Sequence, residues 1–134
     1  MATTPNRLLS IVDDESDILY LFRDALHDIP GCTVFTFTDS ALAFEHFKIN
    51  KGDYAMVLSD LRMPGMDGMQ LIKQIKEIKH SVRTILMTAF AIDDKKLFQE
   101  YAAKNIINGF LEKPVRIADL REEVNNQLKH HQIT

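Results

Sequence analysis

The chain has one cysteine, Cys32, and no tryptophan. A lone cysteine excludes any disulfide within the chain and points to a reducing compartment, so a cytoplasmic location is expected. Long hydrophobic runs are missing as well. The longest hold about half a dozen residues, against the roughly 20 that a membrane-spanning helix needs. The opening MATTPNR lacks the apolar stretch of a signal peptide. Charge of one sign is scarce: 16 Lys+Arg against 19 Asp+Glu leave a net charge of −3. With no basic block, neither direct nucleic-acid binding nor membrane association is expected. There is no linker-like stretch, internal repeat or low-complexity segment, and 134 residues is the size of one domain. Residues 1–134 are therefore expected to form a single domain. A 46% hydrophobic content is enough for one core without covalent staples.

What is present is alternation. Five apolar runs stand out: Leu8–Val12, Thr33–Phe37, Tyr54–Leu58, Thr84–Met87 and Ile106–Leu111. Most are near-continuous, as in strands buried on both faces of a parallel sheet. Thr33–Phe37 alternates more and suits an edge strand. Between the runs, apolar residues recur at helical spacing. The first such face holds Ile18, Phe22, Ala25 and Ile29, and the second holds Met69, Ile72, Ile75 and Ile78. The last holds Ile117, Leu120, Val124 and Leu128. Ser40–Ile49 and Asp93–Lys104 are helix-like with weaker stripes. Strand–helix repeated five times predicts an α/β, doubly wound, five-stranded parallel sheet in a three-layer sandwich.

The polar residues that follow the strands carry the chemistry. The first run ends in Asp13-Asp14, the third in Ser59-Asp60, the fourth in Thr88-Ala89 and the fifth in Glu112-Lys113-Pro114. Taken alone, each has an ordinary explanation: Asp13 and Asp14 would cap a helix, Asp60 would be a loop carboxylate, and Lys113 would be solvated. In an open α/β sheet, however, the carboxyl ends of the strands share one edge, where ligands bind. Three carboxylates brought together there repel one another unless cations intervene. Lysine supplies one cation, and an all-oxygen ligand set favours a hard ion such as Mg2+. Such a site suits phosphoryl transfer, with one carboxylate as the nucleophile.

The motifs IVDDESD, VLSDLRMPGMDG, ILMTAF and FLEKP, in that order, resemble the receiver domain of two-component response regulators over roughly Arg7 to Leu128. The resemblance implies a flavodoxin-like strand order 2-1-3-4-5 and a single receiver domain. It implies that Asp60 accepts a phosphoryl group from a sensor histidine kinase or phosphotransfer protein. Asp13, Asp14, Asp60 and the main-chain carbonyl of Arg62 would hold Mg2+. Thr88 would be the switch hydroxyl, Lys113 the phosphate-binding lysine, and Phe110 the switch aromatic. The Lys113–Pro114 bond would be cis. The module would catalyse its own phosphorylation and a slow dephosphorylation, with Arg62 and Phe90 flanking the water's approach. The donor would dock on the first helix, where Leu19, Tyr20 and Arg23 would face outward beside the Pro114-Val115 loop. If the 134 residues are the natural whole, protein–protein contact or phosphorelay is the expected output; if they are a fragment, the sequence does not say what was attached.

Some features depart from the family's pattern or point elsewhere. Phe110 stands where Tyr is frequent, and residues 104–109 lack the usual glycine pair. The five histidines have no metal-ligand spacing. Lys73, Lys76 and Lys79 are expected on a solvated helix face, and the glycines of Pro64–Gly68 are expected to give backbone freedom. A haloacid-dehalogenase-like hydrolase would need Asp two residues beyond a first-strand nucleophile, where Glu15 and Ser16 stand. A flavodoxin-like electron carrier would need a Ser/Thr/Gly-rich phosphate loop after the first strand, and none is present.

Overall fold

The computed structural model describes residues 6–89 and 92–131. Phe90 lies outside them, so its expected place beside the site is not part of the description. Strands β1 (Arg7–Val12), β2 (Cys32–Phe37), β3 (Tyr54–Asp60), β4 (Arg83–Thr88) and β5 (Gly109–Glu112) alternate with helices α1 to α5. The helices are α1 (Ser16–Leu26), α2 (Ser40–Asn50), α3 (Gly68–Ile78), α4 (Ile92–Ala103) and α5 (Ile117–His130). The five strands form one parallel sheet, as the alternation predicts, in the order β2-β1-β3-β4-β5 that the resemblance implies. No helix among the described residues is long and apolar enough to cross a membrane.

Successive strand residues point to opposite faces, and each face has its own helices. Leu9, Ile11, Met56, Leu58, Ile85 and Met87 pack under α1 and α5. Leu8, Val12 and Val57 pack under α2 and α3 instead. The central strand β3 is buried along its whole length, which is why its sequence reads as an unbroken apolar run. β2 forms one edge, and most of its residues are only half-buried.

Four expectations need correction. In α1 the buried residues are Leu19, Phe22 and Leu26, while Ile18 and Ala25 are only partly covered. The stripe still centres on Phe22 but is rotated toward Leu19, which is 5% exposed and does not face outward. In α3 a similar rotation leaves Ile78 exposed and draws Lys76 inside, 6% exposed. Lys79 is partly buried too, and its ammonium donates to the carbonyls of Lys51, Gly52 and Tyr54. β5 begins at Gly109, three residues later than the apolar run. Asn105 turns the chain at φ 59°, and the Ile106 N–H closes onto the Tyr101 carbonyl at 2.8 Å. Ile107 is apolar because it packs with Leu61, Met69, Ile72 and Leu86, not because it pairs in the sheet.

The fourth correction concerns a glycine. Gly65 uses its freedom at φ 76°, but Gly68 has no such conformation. Gly68 is needed for close approach, since a Cβ there would lie 2.1 Å from the Asp60 carbonyl oxygen. Just before it, Asp67 caps α3 as expected. Its carboxylate accepts the Gln70 N–H and the Gln70 side chain accepts the Asp67 N–H, both at 2.9 Å.

Candidate functional site

The carboxyl ends of the parallel strands bring the acidic residues together. Asp13 follows β1 and is fully buried, Asp14 next to it is exposed, and Asp60, 7% exposed, ends β3. One carboxylate oxygen from each of the three lies within 4.8 Å of the others. Asp13 is held from two sides. Its N–H donates to the Phe37 carbonyl at 3.1 Å, and its Oδ1 accepts the Glu15 N–H at 2.9 Å. Asp13 therefore does not cap α1; Glu15 occupies the cap position, with no side-chain hydrogen bond. Asp60 is set by the sheet, in register with Met87 on β4. Behind it, the Ser59 hydroxyl donates to the Asp60 carbonyl at 2.9 Å, and the Gly68 N–H donates to the Leu61 carbonyl at 2.8 Å.

Lys113 reaches back over this cluster. Its Nζ lies 3.2 Å from Asp13 Oδ2 and 3.2 Å from Asp60 Oδ2. The Lys113 N–H donates to the Thr88 carbonyl at 3.0 Å, which anchors the lysine to the end of β4. The Lys113–Pro114 bond is cis, as the resemblance implies. Thr88 is the buried last residue of β4, one position beyond the partner of Asp60. Arg62 lies in the loop after β3, exposed, at a cleft of about 420 Å3 shared with Met63, Pro64 and Asp67. Phe110 sits lower on β5, its ring against Phe98 of α4 with centroids 5.1 Å apart.

The electrostatics follow from the crowding. Burial raises the Asp60 carboxyl above its ordinary value; Asp13 and Asp14 push the same way, and Lys113 opposes them. Burial alone would lower the Lys113 ammonium, but Asp13 and Asp60 outweigh it and hold it raised. One lysine stands against three carboxylates, so the cluster carries excess negative charge. Its donors are all oxygens, with no histidine or thiol among the grouped ligands, which is the set a hard divalent cation prefers.

Sequence reasoning found every strand-end residue but missed the part played by Gly68. The PGMDG segment was visible; that its last glycine abuts the Asp60 backbone depends on how α3 sits on β3, which no local pattern shows.

Comparison with known proteins places the same residues in context. Residues 9–125 match the family described as the response regulator receiver domain. The chemotaxis protein CheY-3 of Vibrio cholerae is 32% identical over 123 residues, covering 90% of each chain. The transcriptional regulator NtrC of Escherichia coli is 35% identical over 124 residues, covering 91% of this chain and 25% of NtrC. The chain thus spans a quarter of NtrC's length but nearly all of CheY-3. A receiver domain protein from Clostridium thermocellum superposes with a TM-score of 0.79 at 29% identity, covering 92% of this chain and 94% of the other. Its fold and its sequence both assign this chain to the response regulator receiver domains, the phosphorylation-dependent signalling modules of two-component systems.

Proposed function

We propose that Asp60 is the phosphoacceptor, taking a phosphoryl group from a phosphohistidine on a sensor histidine kinase or phosphotransfer protein. The observation that carries this reading is the convergence of Asp13, Asp14 and Asp60 oxygens with Lys113 Nζ between two of the carboxylates. Asp60 is fixed at its backbone, because its carbonyl is tied to Ser59 and abutted by Gly68, and its Oδ2 lies 3.2 Å from Lys113 Nζ. A fixed carboxylate oxygen is what in-line attack on phosphorus requires. In the transfer, an Asp60 oxygen forms the new bond to phosphorus as the P–N bond to the donor imidazole breaks. The imidazole leaves with the bonding electron pair and takes up a proton.

Asp13, Asp14, Asp60 and the Arg62 main-chain carbonyl would hold Mg2+, and the all-oxygen donor set with its uncompensated charge fits that ion. When bound, Mg2+ supplies charge neutralisation for the phosphoryl oxygens. Lys113 contributes a second positive charge on the same group. Thr88, at the end of the neighbouring strand, would donate its hydroxyl to a phosphoryl oxygen once Asp60 is modified. The donor protein docks beside the site on the outer face of α1, through Tyr20, Leu21 and Arg23. Residues 1–134 act as one receiver unit whose output is a changed protein-interaction surface.

Intact mass measured after incubation with a small acyl-phosphate donor and Mg2+ tests the assignment. One added phosphoryl group is expected. Asp60→Asn and EDTA should each abolish it. Full labelling of Asp60→Asn would move the acceptor elsewhere, and full labelling of metal-free protein would remove Asp13 and Asp14 from metal binding.

A further inference from the structure

The end of the sheet opposite Asp60 carries an open cleft of about 710 Å3, formed where α3, α4 and α5 end and β4 and β5 begin. Lys76, His80, Ser81, Arg83, Asn105 and Asn108 are among its lining residues, and no Asp or Glu is among the described ones. Cations at this end ordinarily satisfy the last carbonyls of helices. Lys79 does so at the Lys51 carbonyl that caps α2, and Arg7 does so at Leu128. Of the two cleft cations, Lys76 gives one proton to such a carbonyl and Arg83 gives none. Arg83 Nε donates to Gln127 Oε1 at 2.8 Å, and among the described residues the rest of its guanidinium has no hydrogen bond. Glu123 acts on Arg83 through space, accepts the Gln127 amide at 2.7 Å and lies outside the lining. The His80 ring and the Ser81 hydroxyl also have no protein partner among the described residues.

Lys76 is the buried member. Its Nζ donates to the His80 carbonyl at 3.0 Å and to Asn108 Oδ1 at 2.7 Å, which leaves one of its three protons. Asn108 is itself fixed: its Oδ1 also accepts the Thr84 N–H at 3.0 Å, and its carbonyl accepts the Gln127 amide at 3.1 Å. The ammonium is therefore positioned before any ligand arrives. Burial beside a second cation stabilises nothing by itself; it lowers the Lys76 ammonium to about 8, with Arg83 adding to the effect of burial. An anion in the cleft would reverse that penalty.

We infer that this cleft is a binding site for a small soluble phosphate-bearing anion. Arg83 offers the forked donor that matches two phosphate oxygens, and Lys76 offers a point charge from the floor. His80, Ser81 and Asn105 supply further donors at the rim. The site is separate from the acidic end and does not depend on the assignment of Asp60.

A 15N-resolved NMR titration of the full chain with sodium pyrophosphate tests this, in EDTA and at ionic strength matched with sodium chloride. Saturable shifts are expected at the amides of Ser81, Arg83, Asn105 and Asn108, with Asp13, Asp60 and Lys113 unmoved. Arg83→Gln should weaken binding about tenfold or more, the scale of one charge-assisted hydrogen bond. Because Arg83 also holds Gln127, His80→Gln serves as a second variant at the exposed rim and should weaken binding severalfold while leaving the spectrum folded. The site is refuted by non-saturating shifts equal to those with chloride, or by saturation at the Asp60 end instead. Unchanged affinity in His80→Gln together with a folded Arg83→Gln of wild-type affinity refutes it as well.

Discussion

Gly68 shows how much a single methyl group would matter. Its added Cβ would meet the Asp60 carbonyl oxygen at 2.1 Å and the Ser59 hydroxyl at 3.0 Å. Two of the three atoms it would meet belong to the backbone that carries the proposed acceptor, so neither can swing aside. Overpacking of this kind costs roughly 1–3 kcal/mol. Gly68→Ala should lower the urea midpoint accordingly and slow labelling of Asp60 by a small phosphodonor, because α3 and the end of β3 must separate. A variant of wild-type stability and labelling rate would show that the contact relaxes at no cost. Lys76 makes the opposite kind of residue statement. Burial, aided by Arg83, lowers its ammonium from 10.5 to about 8. Between those values the unfolded chain binds more protons than the folded one, so this group's contribution to stability rises with pH across the window and is least favourable below 8. Lys76→Met removes the contribution. In phosphate-free buffer, any stability advantage of the variant over wild type should therefore be largest at pH 7. It should shrink by about 2–3 kcal/mol by pH 10, at about 1.4 kcal/mol per pH unit. A difference that stays constant with pH would mean the lysine titrates alike in the folded and unfolded chains, as a solvated ammonium does.

At the scale of elements, the sequence was most legible where burial is complete. β1, β3 and β4 sit inside the sheet, so their apolar runs match their spans to within a residue or two, and the polar residues that end them mark the site. It was less legible where an element shares its faces. The fifth run combined a loop that packs through Ile107 with a strand that begins at Gly109, and hydropathy cannot tell packing from pairing. The stripe of α1 reads equally well through Ile18 and Ala25 or through Leu19 and Leu26. The choice is made by α5 and the sheet, which lie far away in sequence. The rotation decides which α1 residues can meet a donor protein. Leu19 is buried and would unfold the helix if charged, whereas Tyr20 is 70% exposed and Leu21 50%. Leu21→Asp and Arg23→Glu should each slow transfer from a protein donor severalfold while labelling by a small phosphodonor is unchanged. Equal loss with both donors would assign the effect to folding, and no loss with either would move the donor off α1.

For the whole molecule, parallel topology sorts charge by end. Every strand runs toward the acidic cluster and every helix returns from it. Helix N-termini therefore surround Asp13, Asp14 and Asp60, while carbonyls at or just past helix ends meet Arg7, Lys76 and Lys79 at the far end. A phosphoryl group on Asp60 would add negative charge at the end already richest in carboxylates. Lys113, Thr88 and the proposed Mg2+ are the groups proposed to answer it. Thr88 and Lys113 are joined through the 3.0 Å bond between their backbones, and β5 continues from Lys113 to Phe110, whose ring rests on Phe98 of α4. Movement of the Thr88 hydroxyl toward Asp60 would thus pull on the same segment that holds α4 to β5. A charge-assisted hydrogen bond contributes roughly 1.5–3 kcal/mol, whereas driving a two-state surface from 1:99 to 99:1 takes about 5.5 kcal/mol. Thr88 alone falls short, and Lys113 must supply a comparable share. Thr88→Ala should therefore still accept the phosphoryl group, yet show reduced phosphorylation-induced NMR shifts at Phe98, Phe110 and the start of α5. Lys113→Met should lose part of the same response, and the double variant nearly all of it. Full shifts in Thr88→Ala would place the coupling in the metal and lysine alone, and the hydroxyl would then be no more than the end of a strand.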